Sequence, residues 1–453
     1  MSSAYNVLVL AVILATLGQA HAAVTGVEAA QLGKTLTPWG AEQAANADGS
    51  IPAYTGTVTA PASYDPQNPG VRPDPFADEQ PLYSISAENL SQYADRVNEG
   101  TQALMRMYPG YRIDIYPSRR TANYPQWVND HSIKNATTCK TVDAGLAVRD
   151  CFGGIPFPIP KDAYEVMWNK LLRFESPSFT YRSQSWFVSA AGKTILQAEN
   201  NQNMEFPYYD KNKASFGPTD NYWLFRIDSQ NPARKAGEKL MLHDSIDAIN
   251  TGRRAWQYIP GQRRVKLAPD VGYDTPSPES GGAANMDDGM LFNGPMDRFE
   301  WTLLGKKELY LPYNTFKLND PTLCPTAKAL TPKFLNPDCV RWELHRVWVV
   351  EAKLKPGARH NYHKRFFYLD EDVFTGIADN YDASGNLYRV SQQFYIPRYE
   401  SAGHDTTMTA IFDLATGAYS TLSYKADVGG SYDSPKRDSR FWSPESLTGS
   451  GVR

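Results

Sequence analysis

The chain carries no strong charge of either sign: 46 Lys and Arg against 49 Asp and Glu leave a formal net charge of −3 over 453 residues. Recognition of phosphates needs a basic domain or stripe, so nucleic acid is not an expected partner. The densest basic stretch is RRAWQYIPGQRRVKLAP, residues 253–269. Its alternation predicts a β-hairpin instead. Trp256 and Tyr258 fall on one strand face, Gln257 and Ile259 on the other, and Pro260-Gly261 reverses the chain. Trp256 and Tyr258 are expected to face inward, with Arg264 and Lys266 in solvent.

Catalytic motifs are missing too. In GKT, residues 192–194, the glycine that a phosphate loop needs five positions earlier is replaced by Phe187. DEDVFTGIADNYD begins like a calcium loop at Asp370 and Asp372, but Phe374 and Thr375 stand where the next ligand and the glycine belong. There is no HExxH and no GxSxG, and His360 and His363 of RHNYH lie three apart in a loop entering a strand. Asp370, Glu371 and Asp372 could form an acid/base set, yet nothing identifies a partner carboxylate at a glycosidase separation. The expectation is a protein that is not an enzyme and holds no metal or cofactor.

Cysteine is scarce, with four in the chain, which allows three pairings. Cys139 with Cys151 and Cys324 with Cys339 each close one short loop rich in turn residues, and these two local bridges are favoured. A zinc site is the rival, but neither pair has CxxC spacing and the one histidine near a cysteine is His345. No apolar run is long enough to span a bilayer; VLVLAVILATL, Val7 to Leu17, is the length of a signal-peptide core. Ala20-His21-Ala22 has the small-x-small pattern of a cleavage site, so residues 1–22 read as a signal peptide for the periplasm. A buried N-terminal strand is the alternative, because MSSAYN carries no Lys or Arg. The residue directly after Ala22 is Ala23 and not cysteine, so no lipoprotein anchor is expected.

Aromatic residues are abundant: 27 Tyr, 19 Phe and 10 Trp. Residues 23–80 are rich in Pro, Gly, Ala and Asp and read as an extended strap laid along the body through Ile51, Tyr54 and Phe76. Residues 81–453 show no linker or repeat and read as one domain. Ser86 as N-cap with Leu90, Tyr93, Val97 and Leu104 at helical spacing predicts a helix over about 87–107; a second covers 162–174. About a dozen strand-like segments follow, joined by short turns without intervening helices. The expected fold is mainly β: a large curled antiparallel sheet forming an incomplete barrel, with helices covering or plugging the concave face.

The stretches LGKTLTPWGAEQAANADGSIPAYTG, DRFEWTLLGKKELYLPYN, RWELHRVWVVEAKLKPGARHNYHKRFFYLDED and FWSPESL resemble the bacterial exported family known as domain of unknown function 1329. WQYIPGQRRV, YDTPSPESGG and FYLDEDVFTGIADNYDASGNLYR are also similar to the outer-membrane lipoprotein-sorting carriers of the LolA/LolB kind. That resemblance implies a half-barrel over a greasy cavity, working in the periplasm beside an exporter of the resistance-nodulation-division class and an outer-membrane protein. It brings no catalytic residues. A carrier of a lipid or other hydrophobic molecule needs an apolar wall left unfilled by its own core, which aromatics build well. Trp256, Tyr258, Phe299, Trp301, Trp348, Val350, Phe367 and Tyr395 are the expected cavity residues. Two other functions fit the sequence: a non-enzymatic adaptor in an envelope transport complex, with the strap as contact, and a glycan-binding module with flat exposed aromatics.

Overall fold

The computed structural model describes residues 24–448 except 57, 214, 215, 218, 219 and 270. Val7–Leu17 and Ala20–Ala22 lie outside the described residues. The chain opens with a short helix α1 (Gly26–Ala29), whose N-cap Thr25 exchanges hydrogen bonds with Glu28. It then runs without named strands to β1 (Tyr83–Ser86). Trp39 and Ile51 anchor this segment in the core, the Tyr54 hydroxyl donates to the Ala122 carbonyl at 2.9 Å, and the Arg341 guanidinium lies over the Phe76 ring.

The helix expected over 87–107 is broken. Ser86 closes β1, two 3-10 turns occupy Leu90–Gln92 and Ala94–Arg96, and Val97 is extended before α2 (Glu99–Met107). The cause is tertiary. Asp379, buried in the sheet, accepts the Asn98 side chain at 2.7 Å and the Gly100 N–H at 3.1 Å, so a sheet carboxylate caps α2. A Cβ on Gly100 would lie 2.2 Å from that carboxylate, which is why glycine stands there. The return strand β2 (Arg112–Ile115) pairs with β1.

A helix absent from the expectations follows, α3 (Gln126–Thr138), and a small hairpin β3 (Lys140–Val142) and β4 (Ala147–Arg149) comes next. α4 (Ala163–Leu171) is capped by Asp162, which accepts the Glu165 N–H at 2.9 Å. One meander then comprises β5 (Ser178–Val188), β6 (Thr194–Glu205), β7 (Asn221–Asn231), β8 (Lys239–Ser245), β9 (Arg253–Ile259) and β10 (Arg264–Leu267). After a long excursion, β11 (Phe299–Pro312) runs through a bulge at Leu303/Gly305. The helical turn α5 (Thr326–Ala329) lies in the next loop. The second meander is β12 (Arg341–Leu354), β13 (Lys364–Asp370), β14 (Gly376–Tyr381), β15 (Leu387–Arg398), β16 (Gly403–Asp413) and β17 (Ala418–Tyr424), with β18 (Ser431–Asp433) added at the edge of β5.

The two meanders merge where β17 pairs with β5, Tyr419 opposite Val188. The result is a 16-stranded sheet, antiparallel except where β2 runs parallel to the start of β12, and it does not close into a barrel. A path this long must twist and curl. Strand alternation separates two cores. On one face, here called inner, Phe179, Trp223, Leu242, Val350 and Phe367 pack under α3, α4 and the 271–298 excursion. On the other, Val347, Val349, Val390 and Met408 pack against α2 and the 324–339 loop.

Both local bridges are present, Cys139–Cys151 and Cys324–Cys339. Each closes a short loop, so Cys324→Ala with Cys339→Ala is expected to lower unfolding free energy by about 2–4 kcal/mol. Chemical denaturation of this double variant checks the figure, and an unchanged midpoint contradicts it.

Candidate functional site

An apolar cavity of about 100 Å³ sits between the inner face and the 275–293 segment. Its wall is built by alternation: Trp223, Phe225 and Ile227 of β7 share one face with Leu240 and Leu242 of β8, Met204 of β6, and Phe179 and Tyr181 of β5. The intervening residues of β7 turn the other way, where the Arg226 guanidinium stacks 4.5 Å over the Phe441 ring. A more open cleft of about 260 Å³ adjoins the cavity and shares Ile227, Leu240, Pro278, Glu279 and Met286 with it. Ligand pockets usually run about 300–1,000 Å³, so in this state the inner face is nearly filled.

What fills it is the roof, YDTPSPESGGAANMDDGMLFNGP, residues 273–295. Gly281 and Gly282 turn it with φ of +59° and +92°, conformations that suit residues without a Cβ. The roof is fastened by ions. Arg365, with no exposed surface, donates to Asp287 at 2.8 Å and to Asp288 at 3.0 Å. His360 Nε2 lies 3.0 Å from Asp287, the Tyr362 hydroxyl donates to Asp288 at 2.8 Å, and Arg389 donates to the Gly282 carbonyl at 2.9 Å. Burial pushes the Asp287 carboxyl up, but Arg365 and His360 outweigh it and hold it below the ordinary range. Asp288 is pushed up by burial and by Asp287 beside it. At the other end, Arg253 pairs with Asp244 at 2.7 Å and donates to the Asn293 carbonyl at 3.0 Å.

None of the eight cavity residues expected from sequence borders this cavity. Trp256 and Tyr258 do share a face, but Ala255 and Gln257 take the inner side, with Gln257 in the cleft. Trp256 packs on the His243 ring at 4.9 Å, and Tyr258 lies under the Lys239 ammonium, whose Nζ donates to the Leu447 carbonyl. The C-terminal segment covers that face, which gives the aromatics a second apolar surface that the hairpin's own alternation does not reveal. Arg264 and Lys266 are exposed, as expected. Phe299, Trp301, Val350 and Phe367 do come together on the inner face, but as solid core. Phe292 from the roof sits 5.4 Å from Trp301 and 5.7 Å from Phe367, and the Trp301 indole donates to the Met296 carbonyl. Trp348 is half-buried with the Lys306 ammonium 4.7 Å over its ring. The residues missed, Trp223, Phe225 and Leu242, stand in the alternating stretches NYWLFRID and EKLMLHDS, where period two gives the shared face but not which face is inner.

Tyr395 belongs to a different buried place. Its ring meets Tyr313 edge-on at 4.7 Å, and Tyr313 stacks on His345 at 3.6 Å. His345 lies between two carboxylates, Glu343 at 3.1 Å and Asp370 at 3.4 Å. The DED run, considered above as an acid/base set, is bound up in ion pairs: Arg120 grips Asp372 at 2.8 and 2.9 Å, and Lys306 meets Glu371 at 2.7 Å. Arg120 also donates to the Glu42 carbonyl and Arg346 to the Ala44 carbonyl, so the network fastens the N-terminal segment to the sheet. His345, Asp370 and Asp372 bring ligand-type atoms within 4.8 Å of one another. Arg120 already occupies both oxygens of Asp372, so this arrangement reads as ion pairing.

Burial alone would lower the His345 pKa, but hydrogen bonds to Asp370 and Glu343 outweigh it and raise it to about 9 from 6.5. A raised imidazole contributes stability below the unfolded value and loses it as pH climbs through the folded one. Stability is therefore expected to fall by up to about 3 kcal/mol between pH 6.5 and 9, and His345→Gln to flatten that slope. Urea unfolding of both proteins across this range measures it; parallel curves would contradict the assignment.

The fold is thus an open, mostly β sheet with an apolar cavity beneath the 275–293 segment. The profile of the family described as Protein of unknown function (DUF1329) matches residues 84–448, and the chain belongs to that family. It is 38% identical over 442 residues to the uncharacterized protein PA3922 of Pseudomonas aeruginosa, covering 96% of each chain. Among solved structures it is similar to a putative outer membrane lipoprotein-sorting protein domain from Vibrio parahaemolyticus, with TM-score 0.43 and 14% identity over 63% of this chain and 97% of that one. A DUF1329 family protein from Desulfovibrio piger overlays with TM-score 0.40 and 12% identity, covering 60% and 92%. The LolA superfamily protein NE2245 from Nitrosomonas europaea gives 0.37 and 13%, covering 63% and 98%.

Proposed function

We propose that the protein is an exported, periplasmic binding protein that carries a lipid or other hydrophobic molecule in the cavity between β5–β8 and the 275–293 roof, and catalyses no reaction. The observation that carries this reading is the apolar wall of Trp223, Phe225, Ile227, Leu240 and Leu242 bordering the cavity beneath a segment held by the buried Arg365 ion pairs as well as by Leu291 and Phe292 in the core. Opening requires the buried Arg365 ion pairs to yield and Leu291 and Phe292 to leave the core, so the movement is a local unfolding of the roof. Loading requires that movement, because the cavity of about 100 Å³ is smaller than a lipid. The two disulfides accord with an oxidising compartment. In this account the protein works with an exporter of the resistance-nodulation-division class and an outer-membrane protein, and its cargo is handed between them.

The glycan-binding alternative needs flat exposed aromatics. Among the described residues the large exposed hydrophobics include Tyr83 and Tyr432 but no tryptophan, which argues against it. The adaptor function is compatible with the carrier.

Titration with N-phenyl-1-naphthylamine, which fluoresces in apolar surroundings, tests the reading. A saturable rise at one probe per protein, displaced by an unlabelled apolar competitor, is expected. No rise, or a rise that competitor leaves untouched, would count against a cavity site.

A further inference from the structure

The polar atoms of the same cavity bear on the end group of its ligand, an inference that rests on the reading above. Glu175, Glu279 and Lys425 are the charged side chains bordering it. Each is already committed. The Arg173 guanidinium pairs with Glu175, which also accepts the Thr406 hydroxyl at 3.0 Å. The Lys425 ammonium donates to Asp405 at 2.6 Å and to the Thr406 carbonyl at 2.6 Å, and lies 4.2 Å from the centre of the Tyr181 ring. Glu279 accepts the Ser185 hydroxyl at 3.0 Å and the Asn200 amide at 2.7 Å, and burial pushes its carboxyl up.

The uncommitted atoms are neutral. Gln202, 1% exposed, spends its Nε2 on Ser183 at 2.7 Å and leaves Oε1 without a partner. Asn285 Nδ2, from the roof, and Trp223 Nε1, from β7, are buried and unpartnered as well. Reversing the Gln202 amide exchanges a free acceptor for a free donor and adds no charge. A carboxylate or phosphate brought into this space would be desolvated beside two carboxylates, with no unpaired cation among the described lining residues to receive it. A hydroxyl, ester or amide meets no such cost and can satisfy groups that are otherwise orphaned.

We propose that the cavity selects an apolar molecule with one uncharged hydrogen-bonding end, received at Gln202, and discriminates against free fatty acids and phospholipids. The test is calorimetric titration of the full chain at pH 8 with three probes of equal carbon number: 1-decanol, decanoate and decane. The alcohol is expected to bind at least about tenfold tighter than the carboxylate, and Gln202→Leu to weaken the alcohol about tenfold while leaving decane within twofold. Decanoate binding as tightly as decanol in the wild type would overturn the end-group inference and leave the cavity reading standing. An unchanged alcohol affinity in a folded Gln202→Leu protein would overturn the part given to Gln202. Binding of none of the three would overturn both readings.

Discussion

Replacing Arg365 with alanine is expected to destabilise the protein by about 3–5 kcal/mol, the usual cost of removing one partner from a buried ionic group. Arg365 has no exposed surface and stands between Asp287 and Asp288 on the roof while its Nε donates to Asn380 in the sheet at 2.8 Å. Its loss leaves two adjacent buried carboxylates with His360, Tyr362 and the Asn285 N–H as their remaining close partners. They regain solvation by taking up a proton or by lifting the roof into water. The variant should therefore expose the cavity, seen as faster amide exchange over residues 275–293 and a higher affinity for apolar probes. A variant combining Arg365→Met with Asp287→Asn and Asp288→Asn removes the charges together and is expected to recover part of the lost stability. If Arg365→Ala unfolds at the wild-type urea midpoint, the roof is not held as described.

The second large effect is on binding. Leu240 is half-buried where the cavity meets the open cleft, so the indole of Leu240→Trp has room to enter without forcing the core apart. Apolar probe affinity is expected to drop more than tenfold, with a stability change within about 1–3 kcal/mol, the range of overpacking. Trp256→Ala is the matched control: it removes an aromatic that the sequence marked for the cavity but that packs against His243 on the opposite face. Its affinity should stay at the wild-type level. Equal losses in the two variants, measured by probe titration, would place the ligand elsewhere.

That contrast also shows where sequence reading reached its limit. Strands were legible because alternation and turn residues are local signals, and even the division of one face from the other follows from period two. Which face is inner is a tertiary fact. Around β9 it depends on the C-terminal segment reaching back from residues 439–447 to cover Trp256 and Tyr258, and nothing within the hairpin encodes that return. The roof was not anticipated, because short turns were expected between strands; its Gly, Pro, Ser and Asp content is turn chemistry, while its placement rests on Arg365 and Arg389, about 75–110 residues further on. Helix α3 escaped for another reason. Its buried positions are Val128, Ser132, Asn135 and Ala136, a face with hardly any apolar periodicity. Ser132 and Asn135 are inward because they bond the 152–155 backbone: the Ser132 hydroxyl accepts the Ile155 N–H at 2.8 Å, and Asn135 accepts the Phe152 N–H at 3.3 Å. The bridges were readable because each closes a single short loop.

The central claim is that the space under the roof holds an apolar molecule. It is tested most directly by native mass spectrometry of the full-length protein, purified without detergent from the cells that produce it, followed by organic extraction of the same sample. A species heavier than the polypeptide by one small apolar molecule is expected, which Leu240→Trp fails to retain. A bare polypeptide mass in both proteins, with nothing extractable and no uptake of added probe, would contradict it.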